Sequence, residues 1–173
     1  MDLKPLVRSI KDFPKPGIVF RDITTLIGNG QALKQAASEL AEHFRKVKPE
    51  VVVGIESRGF IIGAAVALTL GVGFVPVRKP KKLPFRTIRQ EYALEYGSDA
   101  IEMHADAIEV GRRVLIIDDL LATGGTAKAC CQLVEQSGGK IVGLGFLINL
   151  AFLAGAKRLN GYNMHWLIQY DSE

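Results

Sequence analysis

Apolar residues along the chain occur either in short continuous runs or at helical spacing. Two stretches, 31–47 and 60–70, repeat apolar residues every three or four positions and predict helices. Continuous runs are typical of parallel strands covered on both faces, and five of them occur, at 51–55, 74–77, 113–117, 140–148 and 166–168. Strands joined through helices predict an α/β fold, with a central, mostly parallel, twisted sheet flanked by helices.

The first 30 residues do not follow that alternation. Apolar residues at positions 3, 6, 7 and 10 predict a short amphipathic helix over 3–10. Pro14 and Pro16 then exclude a helix over 12–24. We expect residues 1–30 to form a small hood beside the sheet, in which Phe20 and Arg21 either cover a ligand or pack on the core.

A second departure lies between the runs at 74–77 and 113–117. Residues 87–96 alternate between apolar and polar, and after a turn the stretch 100–104 can pair with them. This pattern predicts an antiparallel hairpin appended to the sheet, within a flexible flap over 80–104. Glu95 and Tyr96 lie just before the turn, where a carboxylate and a phenol either close over a substrate or stay solvated.

Length and composition limit the class of protein. The 173 residues predict a single domain with a sizeable core, and the net charge of +4 favours acidic ligands only weakly. The charged N-terminus is unlike a secretory signal, and no apolar run approaches the roughly 20 residues of a membrane span. The two cysteines, Cys130 and Cys131, are neighbours without metal-ligand spacing, which indicates packing or surface thiols in a cytoplasmic protein.

The most distinctive stretch is 113–127, with the sequence RVLIIDDLLATGGTA. An apolar strand leads into an expected turn with two acids, Asp118 and Asp119, and the glycine-rich loop 122–126 precedes a helix. Glycines let the backbone approach a ligand, and the N–H groups of a helix N-terminus favour phosphate. Carboxylates accept hydrogen bonds from vicinal hydroxyls. The combination predicts a site for a phosphorylated sugar at the carboxyl edge of the sheet.

Polar side chains follow two further strands at the same edge. Arg58 lies in the turn after 51–55, where it can bind phosphate oxygens or pair with Glu56. Six of the 22 basic residues lie within 78–89 without an acid among them, and the first two, Arg78 and Lys79, directly follow a strand. This basic run fits a pyrophosphate, although a solvated loop or nucleic-acid binding would give the same composition.

The stretch 113–127 resembles the signature of the type I phosphoribosyltransferases, whose shared substrate is phosphoribosyl pyrophosphate. Other segments are similar to the members of this family that act on adenine: DFPKPGIVFRDIT, VVVGIESRGF, FVPVRKPKKLP, EYALEYG and FLINLAFLAG. The resemblance implies the fold described above. It also implies transfer of the phosphoribosyl group to adenine in purine salvage, giving AMP and pyrophosphate.

The resemblance further implies roles for individual residues. Asp118 and Asp119 would hold the ribose hydroxyls, and Glu95, with Tyr96 beside it, would handle a proton near the purine. Three further sets are implied: the 5′-phosphate loop of Ala122, Thr123, Gly124, Gly125 and Thr126; the pyrophosphate-facing Arg58, Arg78, Lys79 and Lys82; and the base pocket of Val19, Phe20, Arg21 and Leu153. Mg²⁺ would arrive with the pyrophosphate substrate and not on a protein metal site. A homodimer without nucleic-acid or membrane partners is expected.

Two other functions stay open at this point. A non-catalytic regulator could keep the fold, sense phosphoribosyl pyrophosphate and bind nucleic acid through the basic run, although 173 residues leave no room for an added DNA-binding module. A transferase for an oxo-purine would differ chiefly at the base pocket around residues 19–21.

Overall fold

The structure is a computed structural model that describes residues 1–93 and 97–173. In chain order the strands are β1 (Arg8–Lys11), β2 (Val19–Asp22), β3 (Val51–Ile55), β4 (Gly73–Val77), β5 (Thr87–Ala93), β6 (Ser98–His104), β7 (Arg113–Leu121), β8 (Lys140–Leu150) and β9 (Met164–Tyr170). The α-helices are α1 (Thr24–Ile27), α2 (Gly30–Arg45), α3 (Arg58–Leu70) and α4 (Gly125–Gln136), and short 3₁₀ helices lie at Lys4–Leu6, Ala151–Leu153 and Gly155–Leu159. In the described part of the chain, no helix combines the length and apolar character needed to cross a membrane.

Five of the described strands form the central sheet, in the order β4-β3-β7-β8-β9, and every neighbouring pair is parallel. All of β3 and most of β7 are buried, as expected for strands covered on both faces. Residues of α2 and α3 pack on one face of the sheet, and residues of α4 and β6 pack on the other. The predicted α/β fold is therefore confirmed.

Strand β7 extends further than the sequence predicts. Its ladder with β8 continues beyond Ile117, because Asp118 pairs with Phe146 and Leu121 pairs with Asn149. The expectation of a turn at the two acids is therefore wrong, and both acids lie within a central strand.

The N-terminal helix predicted over residues 3–10 is also wrong. Only Lys4–Leu6 is helical, in a 3₁₀ turn, and β1 then pairs antiparallel with β2, with Ile10 opposite Phe20. Apolar spacing alone could not separate the two outcomes, because a short isolated helix is marginal in water while β2 offers main-chain partners. The resulting hairpin forms a sheet separate from the central one.

The appended hairpin is present as predicted. β5 and β6 pair antiparallel from Thr87 opposite His104 to Ala93 opposite Ser98. Main-chain hydrogen bonds of 2.9 and 2.7 Å between Arg78 and Glu102 attach β6 to the chain beyond β4. The predicted catalytic residues Glu95 and Tyr96 lie outside the described residues, and the flexibility of 80–104 stays a prediction.

The two cysteines are buried in α4 with free thiols. Burial raises the pKa of Cys131 to about 12 and raises the pKa of Cys130 well above its usual value. Since the thiolate is the reactive form, both thiols act as packing groups.

Candidate active site

The two acids predicted to bind ribose lie side by side in β7 and are both buried. Asp118 is 9% exposed and Asp119 is 7% exposed. Burial raises the pKa of Asp118 well above its usual value, and the charge of Asp119 raises it further. Burial also raises the pKa of Asp119, although the nearby Arg58 opposes that shift. Buried carboxyl groups with perturbed pKa values in a cleft are typical of functional sites.

One oxygen of this pair has no hydrogen-bond donor. The main-chain N–H of Asp119 donates to Asp118 Oδ1 at 2.9 Å. Arg58 Nε lies 2.8 Å from Asp119 Oδ2, but its N–H is not directed at the oxygen, so the contact is an ion pair without a hydrogen bond. Asp119 Oδ2 is therefore a buried acceptor without a hydrogen-bond donor among the described residues.

The first turn of α3 reaches the acids because residue 59 is glycine. A Cβ atom on Gly59 would lie 2.6 Å from Asp118 Oδ1 and 3.1 Å from the Asp118 Cα. Any side chain would push α3 away from β7, since contacts below about 3 Å between such atoms are not tolerated. Gly59 thus brings Arg58 within reach of Asp119.

The loop 122–126 forms the wall of a cavity of about 80 Å³ that Asp118 also lines. Gly124 has a φ of 79°, which favours glycine, and a Cβ atom there would lie 2.5 Å from the Gly155 carbonyl oxygen. Helix α4 begins at Gly125, and no side chain caps its first turn. The predicted phosphate loop and one ribose acid are therefore brought together.

Two of the predicted cations beyond β4 are held by acids of the chain itself. Glu56 Oε2 accepts from Arg78 Nε at 2.9 Å and from the main-chain N–H of Lys79 at 3.1 Å. Lys79 Nζ donates to the Asp99 carboxylate and to the Tyr92 hydroxyl, the latter at 2.9 Å. The alternative in which Arg58 pairs with Glu56 is therefore wrong, because strand order places Arg58 beside β7.

Lys82 lies in the same segment but is less constrained. Its side chain is exposed, and its main-chain oxygen accepts from Arg78 Nη1 at 3.3 Å. The structure thus places all three predicted cations, Arg78, Lys79 and Lys82, beyond the carboxyl end of β4.

A larger pocket of about 490 Å³ lies beside the phosphate loop. Its described lining consists of Ile18, Val19, Ala93, Thr123, Leu150, Leu153, Arg158 and Glu173. Two residues predicted for the base pocket, Val19 and Leu153, therefore meet there, and Thr123 is shared with the phosphate loop. The mostly apolar walls suit a planar base.

The side chains of the other two predicted base-pocket residues lie elsewhere. The Arg21 guanidinium lies 3.9 Å from the centre of the Tyr170 ring and donates to Ser9 Oγ at 2.6 Å. The Phe20 ring lies 5.1 Å from the Arg58 guanidinium. Neither side chain is among the described residues that line the pocket.

The edge of β2 that does not pair with β1 nevertheless faces the pocket. The Ile18 carbonyl accepts from the Phe13 N–H on the β1 side, whereas the Val19 N–H donates to Glu173 Oε2 at 2.8 Å. Main-chain groups alternate between the two edges of a strand, so those of Arg21 lie on the same edge as those of Val19. This geometry is the one needed if main-chain groups contact a base.

Sequence reasoning missed several residues of the site. Glu56 was considered only as a partner of Arg58, and Arg158 was not considered, although its Nη1 lies 3.7 Å from where a Cβ on Gly125 would be. Arg158 follows Leu153 closely in the chain, and that proximity was the available signal. Glu173 belongs to no motif, so only the fold reveals it.

The chain is similar to known proteins over nearly its whole length. The family model described as a phosphoribosyl transferase domain matches residues 24–165. The adenine phosphoribosyltransferase of Solibacter usitatus is 57% identical over 170 residues, which cover 98% of each chain. The crystal structure of adenine phosphoribosyltransferase from Thermoanaerobacter pseudethanolicus has a TM-score of 0.95 at 48% identity, covering 97% of this chain and 98% of that one.

A further solved structure contains ligands. The adenine phosphoribosyltransferase of Saccharomyces cerevisiae, complexed with D-2,5-dideoxy-2,5-imino-altritol 1,6-bisphosphate and adenine, has a TM-score of 0.89 at 43% identity, covering 95% of this chain and 96% of that one. These similarities extend over nearly the whole chain and not over the loop 122–126 alone.

Proposed function

The chain belongs to the phosphoribosyltransferase family, among the adenine phosphoribosyltransferases, and from this premise we propose how its site performs the reaction. The protein transfers the phosphoribosyl group of phosphoribosyl pyrophosphate to adenine, giving AMP and pyrophosphate in purine salvage. The observation that supports this assignment best is the buried pair of Asp118 and Asp119 beside the phosphate loop. A phosphorylated sugar needs both features in one place.

The acids and the loop position the sugar. The carboxylates of Asp118 and Asp119 accept from the ribose hydroxyls, while the main-chain N–H groups at the start of α4 hold the 5′-phosphate. Fixing the sugar at two points aligns its anomeric carbon with a base held in the neighbouring pocket. Positioning of this kind supplies a large part of the rate enhancement in two-substrate reactions.

The cations beyond β3 and β4 stabilise the leaving group. Breaking the bond to pyrophosphate builds positive charge on the ribose and negative charge on the departing oxygens. Arg58, Arg78, Lys79 and Lys82 lie at one edge of the sheet, where their positive charges can stabilise that negative charge. Glu56 and Asp99 hold two of them in place until the substrate arrives.

Mg²⁺ enters with phosphoribosyl pyrophosphate in this scheme. Pyrophosphate and hydroxyl oxygens are the hard ligands that Mg²⁺ prefers, and the ion keeps several waters when bound. When bound with the substrate it neutralises charge on the leaving pyrophosphate. The described residues include no group of three or more His, Cys, Asp or Glu side chains placed to hold a metal ion.

The protein is expected to act as a homodimer. Helix α3 packs one side on the sheet but leaves Ile61 42% exposed and Leu68 83% exposed on its outer side. Large apolar side chains on an outer helix face favour a protein partner, and we assign that place to a second copy. Sedimentation of the wild type should give twice the 18.9 kDa mass of one chain. The variant Leu68→Lys should sediment as a monomer. A monomeric wild type would contradict the proposed homodimer.

Small molecules are the proposed partners, in the cytoplasm. Arg78 and Lys79 lie beyond the carboxyl end of β4, at the edge of the sheet where the small substrates are proposed to bind. Free buried thiols are typical of reducing compartments. Tight nucleic-acid binding in a gel-shift titration would contradict the proposed small-molecule partners, and secretion of the native protein would contradict the proposed compartment.

The acid pair provides the test of the assigned mechanism. The double variant Asp118→Asn with Asp119→Asn should lose at least about 100-fold in AMP formation, because the ribose is no longer held. Binding of phosphoribosyl pyrophosphate should weaken, with an unchanged circular dichroism spectrum. The control variant Asp106→Asn with Asp171→Asn removes the same charge from exposed positions and should keep full activity. Near-normal activity of the first variant would contradict the ribose assignment.

A further inference from the structure

The last residue of the sequence, Glu173, places its carboxylate in the pocket proposed for the base. Glu173 Oε2 accepts a hydrogen bond of 2.8 Å from the main-chain N–H of Val19. The residue lines the pocket together with Leu153 on the apolar side and Thr123 of the phosphate loop. The contact therefore joins the C-terminal segment to the open edge of β2.

This contact sets a hydrogen-bond donor beside an acceptor. The Val19 N–H is a donor, and a carboxylate has about four acceptor sites, of which Val19 uses one. Among the described residues that line the pocket, Glu173 has the one acceptor-only side chain, since Thr123 can donate or accept and Arg158 only donates. Arg158 lies towards the phosphate loop, near Gly125.

Purine bases differ in the order of hydrogen-bond donors and acceptors along their six-membered ring. Adenine has an amino donor at position 6 next to the acceptor N1. Hypoxanthine, guanine and xanthine have an oxo acceptor at position 6 next to an N1–H donor. A main-chain N–H beside a carboxylate matches the adenine pattern and opposes the other, because an oxo group would face the negatively charged carboxylate.

We propose that Glu173 is a specificity-determining residue that accepts a hydrogen bond from the 6-amino group and disfavours 6-oxo purines. This inference rests on the proposed function and names the group that sets its base selectivity. In the free protein, Val19 and Glu173 satisfy each other. When adenine binds, that one bond is exchanged for two, from the Val19 N–H to the purine nitrogen and from the amino group to the carboxylate.

The contribution of Glu173 to base selectivity depends on the strength of the hydrogen bond between the 6-amino group and its carboxylate. Hydrogen bonds to charged groups are stronger than neutral ones, and a site built to pair one purine leaves polar groups unpaired with the other. Removing the carboxylate should therefore reduce the preference for adenine over hypoxanthine by at least about tenfold.

The experiment compares Glu173→Gln and Glu173→Ala with the wild type, using adenine and hypoxanthine as competing bases. In both variants the ratio of kcat/KM values for adenine and hypoxanthine should fall, with an unchanged KM for phosphoribosyl pyrophosphate. Glu173→Gln should gain activity on hypoxanthine, because its amide can donate to the oxo group. The control Asp171→Asn removes an exposed charge two residues away and should match the wild type.

Two results would overturn the proposal. Unchanged selectivity in Glu173→Ala would make the contact with Val19 incidental. A lower KM for adenine in Glu173→Ala would mean that the carboxylate competes with the base. If the wild type formed no nucleotide from any base, the proposed function would fail, and calorimetric binding of adenine and hypoxanthine to wild type and variants would still decide the role of Glu173.

Discussion

Asp118 and Asp119 combine the proposed role in ribose binding with an unfavourable placement. Each carboxylate loses hydration on burial, and the two charges repel each other at neighbouring positions. The ion pair with Arg58 offsets part of the cost of burying the Asp119 carboxylate. The hydrogen bond from the main-chain N–H of Asp119 offsets part of the cost of burying the Asp118 carboxylate. Such a pair is retained where a ligand uses it, even though the fold alone would be more stable without it.

The raised pKa of Asp118 predicts whether its charge stabilises or destabilises the folded protein. A carboxyl group whose pKa is higher in the folded than in the unfolded chain makes the folded state bind protons more tightly, so stability falls as the pH rises above 3.8. Asp118→Asn keeps the shape and the acceptor but removes the charge. We expect its melting temperature at pH 7 to rise by about 2–4 °C, the shift that corresponds to roughly 1 kcal/mol.

Thermal melts of wild type and Asp118→Asn over a range of pH check this expectation. The difference should shrink as the pH falls to 3.8 and below, because well below that pH the carboxyl group of the wild type is protonated in both states. A variant that melts several degrees below the wild type at pH 7 would show instead that the charged carboxylate stabilises the fold.

Single residues were predictable where residue type limits the chemistry. Asp118, Asp119 and the loop 122–126 were predicted as a site because acids, glycines and threonines follow an apolar strand, and the structure brings Asp118 and this loop together around one cavity. The partner of Arg58 was not predictable, because it depends on β3 lying next to β7. Glu173 was missed for the same reason, since only the folded chain brings it to Val19.

At the scale of elements, the β5–β6 hairpin approaches the site from the side of the phosphates. A Cβ on Gly125 would lie 3.6 Å from the Ala93 carbonyl oxygen and from the Tyr92 ring. Lys79 meanwhile binds Asp99 on β6 and Tyr92 on β5. The hairpin is therefore connected both to the phosphate loop and to the cations beyond β4, which suits an element that closes over the substrate.

Glu95 provides the prediction for this element. Attack by adenine requires a proton to be handled on the purine, and the carboxylate of the flap predicted to close over the substrate could do so. Glu95→Gln should lower kcat by about 10²–10⁴-fold with a modest change in KM for phosphoribosyl pyrophosphate. Steady-state kinetics checks this, with Glu91→Gln on the exposed side of β5 as the control.

The competing account is that the hairpin only excludes water. Under that account Glu95→Gln would be nearly silent and Tyr96→Ala would be severe. Retention of most of kcat in Glu95→Gln, when product release is not rate-limiting, would remove the catalytic assignment of Glu95.

Elements were predictable where one periodicity dominates. The helices α2 and α3 and the strand β3 lie close to their predicted positions. The strand β1 was missed because its apolar spacing fits a helix equally well, and its true partner is the distant β2. The length of β7 was underestimated because acids normally end a buried strand, whereas here both acids lie within the strand that pairs with β8.

At the scale of the whole molecule, strand order assembles the site. The chain passes from β3 to β4 on one side, and β7 then pairs with β3 on the other side. Ligands of open α/β sheets bind outside the carboxyl ends of strands at such a reversal, and Arg58 and Asp119 meet there at 2.8 Å. Alternating strands and helices predicted the fold class, but not this order, because order depends on contacts between distant segments.

The central claim is that this site transfers a phosphoribosyl group to adenine. The most direct measurement supplies phosphoribosyl pyrophosphate and Mg²⁺ with adenine, hypoxanthine, guanine or xanthine, and quantifies nucleotide and pyrophosphate by chromatography. We expect equal amounts of AMP and pyrophosphate from adenine, and at least about 100-fold lower kcat/KM for each oxo-purine. A preference for an oxo-purine, or pyrophosphate release without any nucleotide, would contradict the account.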